Sequence, residues 1–264
     1  MKSPPSFWTS PLLAGEPRLV HGVTQDAGNM ALTVGPDQAG TVDRRRRVCE
    51  ALSLPFERLT LGRQVHGTAV AVVTGDRIGC GRENSTTRIA DVDGLMTDQP
   101  DVPLMVLSAD CCLMVVYDPR RPALGVGHAG WRGTAAGMAR NLVKTMVDSF
   151  GCQPEALLAA LSPCAGVCCY AVGTDVEEAF EEHGRASRPW HPERGHVTST
   201  IRQRRGSAMY LDLAQANRLQ LQSCGLGADR VDVAGVCTIC CDTYFSYRRD
   251  GESAGQFALI AALS

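Results

Sequence analysis

The chain has 264 residues, 44% hydrophobic and 20% charged, with a formal net charge of -2. Such a composition supports a well-buried globular core and excludes a disordered or collagen-like chain. The slight acidity gives no reason to expect a nucleic-acid partner.

Twelve cysteines are present, several of them adjacent (Cys111-Cys112, Cys168-Cys169, Cys240-Cys241). They do not follow the spaced framework of a small secreted disulfide scaffold, so reduced thiols in a cytoplasmic protein, some acting as ligands, are expected. The opening run "MKSPPSFWTSPLLAGEP" has one lysine and then a proline pair where a signal peptide needs unbroken apolar residues. The most apolar stretch, Val102 to Tyr117, is interrupted by Asp110 and too short for a bilayer, so no membrane association is expected.

In chain order, "RRRR" at 44–47 predicts the exposed face of an early helix. "TAVAVVTG" and "VPLMVLSAD" read as strands bounded by turn signals. "CLMVVYDPRRPALGVGHAG" predicts two strands joined by an Asp-Pro-Arg-Arg-Pro turn. Met138, Leu142, Met146 and Phe150 recur every four residues beside Val143 and Val147, the apolar face of a helix starting near Thr134.

"ALLAALSPCAG" predicts a buried strand that ends in a proline loop. Thr174-Asp175-Val176-Glu177 reads as a capping box opening a short helix to about Gly184. Residues 185–207 are polar and aperiodic, a long surface loop or lid. A helix over Leu211 to Gln222 and strands "RVDVAGV" and "QFALIAAL" complete the chain. No repeat of fixed period is present. The expected architecture is mixed α/β (α+β), one domain over 1–264 with mixed sheets flanked by helices.

Three polar sites sit in strand settings: His66 before a glycine at a strand head, Asp110 and Cys111 within an apolar strand, and His128 at a strand end. A charge inside an apolar strand is costly unless paired or engaged with a ligand. Two imidazoles and one thiolate suit a zinc ion with a fourth position left for water. Zinc lowers the pKa of such a water towards neutrality. Spacing alone leaves the alternatives open, because a lone histidine is commonly a hydrogen-bonded structural residue and a buried cysteine a small apolar one.

The blocks "QVHG", "ADVDGLMTD", "SADCC", "GHAGWRGTAAG", "SPCAGVCCYAVG" and "CTICCDTYFSYRRDG", in this order over roughly residues 60–260, resemble the laccase-domain family (multicopper polyphenol oxidase, YfiH/YlmD-like). The resemblance implies that His66, Cys111 and His128 are the metal ligands. It implies a zinc-dependent purine nucleoside phosphorylase acting with phosphate on adenosine, inosine and methylthioadenosine, and deaminating adenosine. Copper-dependent phenol oxidation is the alternative activity attached to the same family. A non-catalytic metal-binding or cell-wall-precursor editing role is the third reading, and a monomer or small homo-oligomer is expected.

Within that frame Asp110 is expected either to protonate departing ammonia or to orient a ligand. Arg132, at a helix start, is expected to hold phosphate or a ribose oxygen, with a salt bridge as the alternative. Trp131 is expected in core packing, with a base-stacking platform as the alternative. Arg249 is a candidate phosphate ligand, with a solvated turn as the default reading.

Cys237-x-x-Cys240 could be half of a structural zinc site or a redox pair, with Cys164, Cys168 and Cys169 available to extend it. The family implies no such site, and reduced buried cysteines are the expectation. The chain departs from the family pattern at Asp26 and Gln256, where arginines are usual, and at Ala171, where glutamate is usual. Each loss is expected to weaken substrate binding by about 1–3 kcal/mol if buried.

Overall fold

A computed structural model of the chain describes residues 4–35, 37–186 and 202–264. Its strands are β1 (Ser6–Trp8), β2 (Leu19–Gln25), β3 (Thr60–Leu61), β4 (Val70–Val72), β5 (Gly94–Thr97), β6 (Leu104–Ser108) and β7 (Cys112–Asp118). They continue with β8 (Ala123–Ala129), β9 (Leu158–Leu161), β10 (Ala171–Val172), β11 (Arg202–Arg205), β12 (Ala208–Leu211), β13 (Val231–Val233) and β14 (Phe257–Leu263). The helices are α1 (Gln38–Ala51), α2 (Trp131–Ala136), α3 (Met138–Phe150), α4 (Thr174–Ala186), α5 (Leu213–Ser223) and α6 (Tyr247–Asp250). No described helix is long and apolar enough to cross a membrane.

Two mixed sheets carry the fold, one ordered β1-β2-β14-β6-β3 and the other β13-β9-β7-β8-β5-β4. A small sheet, β10-β12-β11, stands apart from them. The alternation of side chains along a strand explains the stacking. From β6, Leu104 and Val106 meet Leu113, Val115 and Tyr117 of β7 and Leu259 of β14 in one core cluster between the two sheets. The opposite sides of β6 and β14, with Met105, Leu107 and Ile260, pack on Val48 and Cys49 of α1. On the far face of the second sheet, Met114 and Val116 pack on Met138, Leu142 and Met146 of α3 and Leu221 of α5. The layers therefore run helix, sheet, sheet, helix. Strands covered on both faces read as continuous apolar runs, which is why β6, β7, β8 and β14 are visible in the sequence.

The differences from expectation have local causes. Asp110 and Cys111 lie outside any strand, in the bend 109–111 where the chain leaves β6 in one sheet and enters β7 in the other. Asp110 has a left-handed φ of 91°, and the apolar run continues on both sides of the bend, masking it. The helix expected from Thr134 begins at Trp131 and is interrupted at Gly137, whose φ is 90°.

Residues 187–201 of the expected lid lie outside the described residues, whereas 202–205 form β11, paired antiparallel with β12. This strand, Arg-Gln-Arg-Arg, is too polar to show an apolar alternation. The N-terminal pair β1–β2, antiparallel with Phe7 opposite Thr24, was not foreseen.

The arginine run holds a larger correction. Arg45 is 0% exposed rather than part of a solvated face. Its Nε and Nη2 donate to the carbonyl of Met30 at 2.9 and 2.7 Å, and its Nη1 donates to those of Gly81 and Arg82 at 2.9 and 2.8 Å. Arg45 thereby ties α1 to two loops through their backbone acceptors. Replacing it with alanine strands those carbonyls and should cost about 3 kcal/mol in urea unfolding. Arg47→Ala, which removes only an exposed pair with Asp43, should cost no more than about 0.5 kcal/mol in the same measurement.

Candidate metal centre

Three chain segments converge where β8 ends. His66 comes from the loop before β4, Cys111 from the bend between sheets and His128 from the last turn of β8. Their potential ligand atoms all lie within 4.8 Å of one another. The two imidazoles meet edge to face, with ring centroids 4.9 Å apart.

The histidines are positioned from behind by Asp93, immediately before β5. Its Oδ1 lies 2.9 Å from His128 Nδ1. The backbone N–H groups of Val65, His66 and Gly67 donate to the same carboxylate at 3.1, 3.0 and 2.8 Å. Three successive amides turned towards one anion require a bent backbone, and His66 takes a left-handed φ of 62°. With Nδ1 engaged by Asp93, His128 presents Nε2 to the centre.

The electrostatics favour a thiolate. Burial alone would raise the Cys111 thiol, but the charge and hydrogen bonds of His128, with those of His66, bring it down to about 6. Burial opposes the imidazolium of His128, yet the Cys111 thiolate and Asp93 raise it to about 9. For Asp93, burial is likewise outweighed by His128 and the amides of Gly67 and Val65, which hold its carboxyl below the ordinary range.

The donors fit a metal ion by shape as well as chemistry. A Cβ at Gly130 would come within 2.9 Å of both Cys111 Sγ and His66 Cδ2, so only glycine lets the chain pass behind the ligands. Two imidazoles and a thiolate with an open side can hold a metal ion by three protein ligands and leave a further position free.

The centre opens into a cavity of about 680 Å³ lined by His66, Cys111, His128, Asp110, Arg132 and Tyr170, among others. The expected residues are only partly brought together there. Asp110 reaches the wall, but its Oδ1 accepts from Thr238 Oγ1 and its Oδ2 from the Arg248 amide, both at 2.6 Å. Arg132 sits in the first turn of the short helix α2, its guanidinium 4.0 Å above the Trp131 ring. That ring also lines the cavity, so Trp131 has a face there as well as core contacts.

Arg249 does not line the cavity. Its guanidinium donates to the carbonyls of Thr238, Cys241 and Tyr244 and pairs with Asp250.

Several residues of this site escaped the sequence reading. Asp93 is one, although it stands inside the quoted block "ADVDGLMTD". Arg248, rather than its neighbour, lines the cavity, its guanidinium 5.1 Å from the Tyr170 ring centroid. Arg88 lines it too, with Nε and Nη2 buried and without a hydrogen-bond partner.

Fold and centre together define a metal-dependent enzyme family: a family model described as multi-copper polyphenol oxidoreductase laccase matches residues 20–264, and the chain belongs to that family. Among relatives, it is 35% identical over 229 residues to the purine nucleoside phosphorylase YlmD of Geobacillus stearothermophilus, covering 86% of this chain and 80% of the relative. It is 28% identical over 229 residues to the adenosine deaminase RL5 of an unknown prokaryotic organism, covering 86% of this chain and 84% of that protein. The crystal structure of YlmD from Geobacillus stearothermophilus matches with a TM-score of 0.88 and 32% identity, covering 100% of this chain and 97% of that one.

Because Asp93 orients two ligands at once, Asp93→Asn should weaken metal binding by about 10- to 100-fold. Competition with a chromogenic chelator measures this, and an unchanged far-ultraviolet circular dichroism spectrum separates lost orientation from lost fold.

Proposed function

We propose that the chain is a zinc-dependent purine nucleoside phosphorylase with adenosine deaminase activity, acting on adenosine, inosine and methylthioadenosine. The observation that carries the reading is the opening of the His66–Cys111–His128 centre into a cavity whose wall combines aromatic rings with the guanidinium groups of Arg88, Arg132 and Arg248. A volume of about 680 Å³ suits a nucleoside with phosphate beside it. The names of the relatives supply the same substrate class.

Arg88, Arg132 and Arg248 have no carboxylate partner among the described residues, and Arg88 has orphaned buried donors. An oxyanion satisfies such donors, and guanidinium forks match phosphate geometry. In phosphorolysis, a phosphate oxygen bonds to C1′ of the ribose as the C1′–N9 bond breaks. These arginines gather the dianion for that attack.

Trp131, Tyr170 and Tyr247 offer faces for the base. Burial, followed by the charge of Cys111, pushes the Tyr170 phenol up to about 12, so it stays protonated and can donate to a ring nitrogen of the departing purine.

Asp110 acts as a positioning residue, since both carboxylate oxygens are engaged and one fixes the backbone of Arg248. In deamination, water adds at C6 and ammonia leaves; Asp110 reaches a proton-donating role only if one of those bonds opens. Zinc, when bound, supplies a Lewis acid for activating an oxygen nucleophile.

Copper also accepts a two-histidine, one-cysteine set. Multicopper oxidation, however, needs several ions wired together, and among the described residues imidazoles gather in one group alone. The free thiols, including exposed Cys168 and Cys240, suit a reducing cytoplasm.

Metal-loaded protein given adenosine and phosphate should yield adenine with ribose 1-phosphate, and adenosine without phosphate should yield inosine. His128→Ala should abolish both products. Arg88→Ala should raise the KM for phosphate about tenfold or more while leaving that for the nucleoside less affected. Absence of product from protein with metal verified at this centre would exclude the reading.

A further inference from the structure

A second cluster of donors lies outside the cavity. Cys168 and Cys169 stand in the turn that follows Gly166, while Cys237 and Cys240 stand in a second turn, and all four sulfurs lie within 4.8 Å of one another. Cys240 Sγ is 2.9 Å from Cys169 Sγ and 3.4 Å from Cys168 Sγ. The sequence expectation of reduced buried cysteines fails here in the burial alone, because Cys168 and Cys240 are exposed and Cys169 and Cys237 half-buried. Contrast Cys49, Cys112, Cys152 and Cys164, which are buried and behave as small apolar residues. Cys164 therefore does not join the cluster; it lies in the core.

The surrounding backbone is built to bring the thiols together. Cys164 and Cys237 form a parallel bridge, with the Cys164 amide donating to the Val236 carbonyl and the Thr238 amide to that of Cys164. The Gly166 amide donates to Cys237 Sγ at 3.2 Å. A Cβ at Gly166 would meet Cys237 Cβ at 2.9 Å and Cys168 Sγ at 3.4 Å, so the space beside the sulfurs depends on that glycine. The turns close on themselves through the Tyr170 amide to the Gly166 carbonyl and the Cys241 amide to that of Cys237.

We infer that Cys168, Cys169, Cys237 and Cys240 form a second, structural metal site that binds zinc through four thiolates. Bonds of about 2.3 Å in a tetrahedron place sulfurs about 3.8 Å apart, and the separations here bracket that spacing, from 2.9 Å for one pair to at most 4.8 Å. Four soft donors select zinc over the hard cations, and a closed ligand set leaves no open position for catalysis.

The site's place in the fold gives it a purpose. One turn leads into Tyr170 of the cavity wall, and the other carries Thr238, which binds Asp110. Zinc would fasten these two turns together and hold that wall in place. The inference does not depend on the nucleoside reading.

The test uses the full chain with His66→Ala and His128→Ala, which removes the first centre, reduced and kept free of oxygen. Titration with cobalt(II) should saturate at one equivalent, with intense visible bands and the thiolate-to-cobalt charge transfer of a four-sulfur tetrahedral site. Zinc should displace the cobalt. Adding Cys237→Ser and Cys240→Ser should remove the signal.

Should that variant fold poorly, alkylation of the unaltered chain gives an independent readout: zinc should protect these four cysteines together, and a chelator should expose them. No cobalt uptake by fully reduced thiols overturns the inference. So does mass spectrometry that finds Cys169 joined to Cys240 as a disulfide in protein isolated from a reducing cytoplasm, which would mark a redox pair instead.

Discussion

The buried carboxylate of Asp93 is the fixed point on which the candidate metal centre depends. It accepts from three consecutive backbone amides of the loop carrying His66 and contacts the ring of His128. A buried charge is tolerated only when its partners are close and complete, so the loop must wrap it even though His66 is forced into a left-handed backbone. One further bond, from the His128 amide to the Asp93 carbonyl at 2.8 Å, registers β8 against the same residue. Two ligands from distant parts of the chain thus share one anchor, and their spacing is set without help from the cavity side.

A second carboxylate does the corresponding work on the other wall. Asp110 occupies the bend where the chain passes from one sheet to the other, directly before Cys111. Its bonds to Thr238 and to the Arg248 amide draw the C-terminal segment against the ligand bend. Asp93 stands behind the imidazoles, and Asp110 stands behind the cationic wall. Cys111 lies between them, in contact with the imidazoles that hold it as a thiolate. The sandwich of two sheets is what allows this, because the ligand bend is also the crossing between the layers.

Much of this was legible from the residues, and the gaps have physical reasons. Strands buried on both faces announce themselves as apolar runs, so β6, β7, β8 and β14 could be read directly. The bend at 109–111 could not, since apolarity continues across it. His66, Cys111 and His128 emerged through their motifs together, whereas spacing alone left each ambiguous.

Asp93 is indistinguishable by type from Asp91 two residues earlier, which is exposed and paired with Arg63 at 2.7 Å. Arg45 is hidden likewise among three other arginines, and only packing shows that one of the four is buried. Arg248 and Arg249 are neighbours too; a short helical turn sends one towards the cavity and the other into its own loop. Burial within runs of like residues is a tertiary property that no local pattern carries.

Asp26, Gln256 and Ala171, where the sequence resemblance leads one to expect arginine, arginine and glutamate, take distinct places in the same geometry. Asp26 lines a separate surface depression with Arg44 and Arg47, so its charge does not enter the cavity by contact. Gln256 does line the cavity, where it contributes a neutral amide. Ala171 acts through its backbone. Arg248 Nη1 donates to its carbonyl at 3.0 Å, and among the described residues this guanidinium forms no ion pair. A glutamate there would place a carboxylate beside Arg248; alanine does not. Arg88, Arg132 and Arg248 line the cavity together with Asp110 and Glu252, three guanidiniums against two carboxylates. That excess favours an anion in the cavity over a cation.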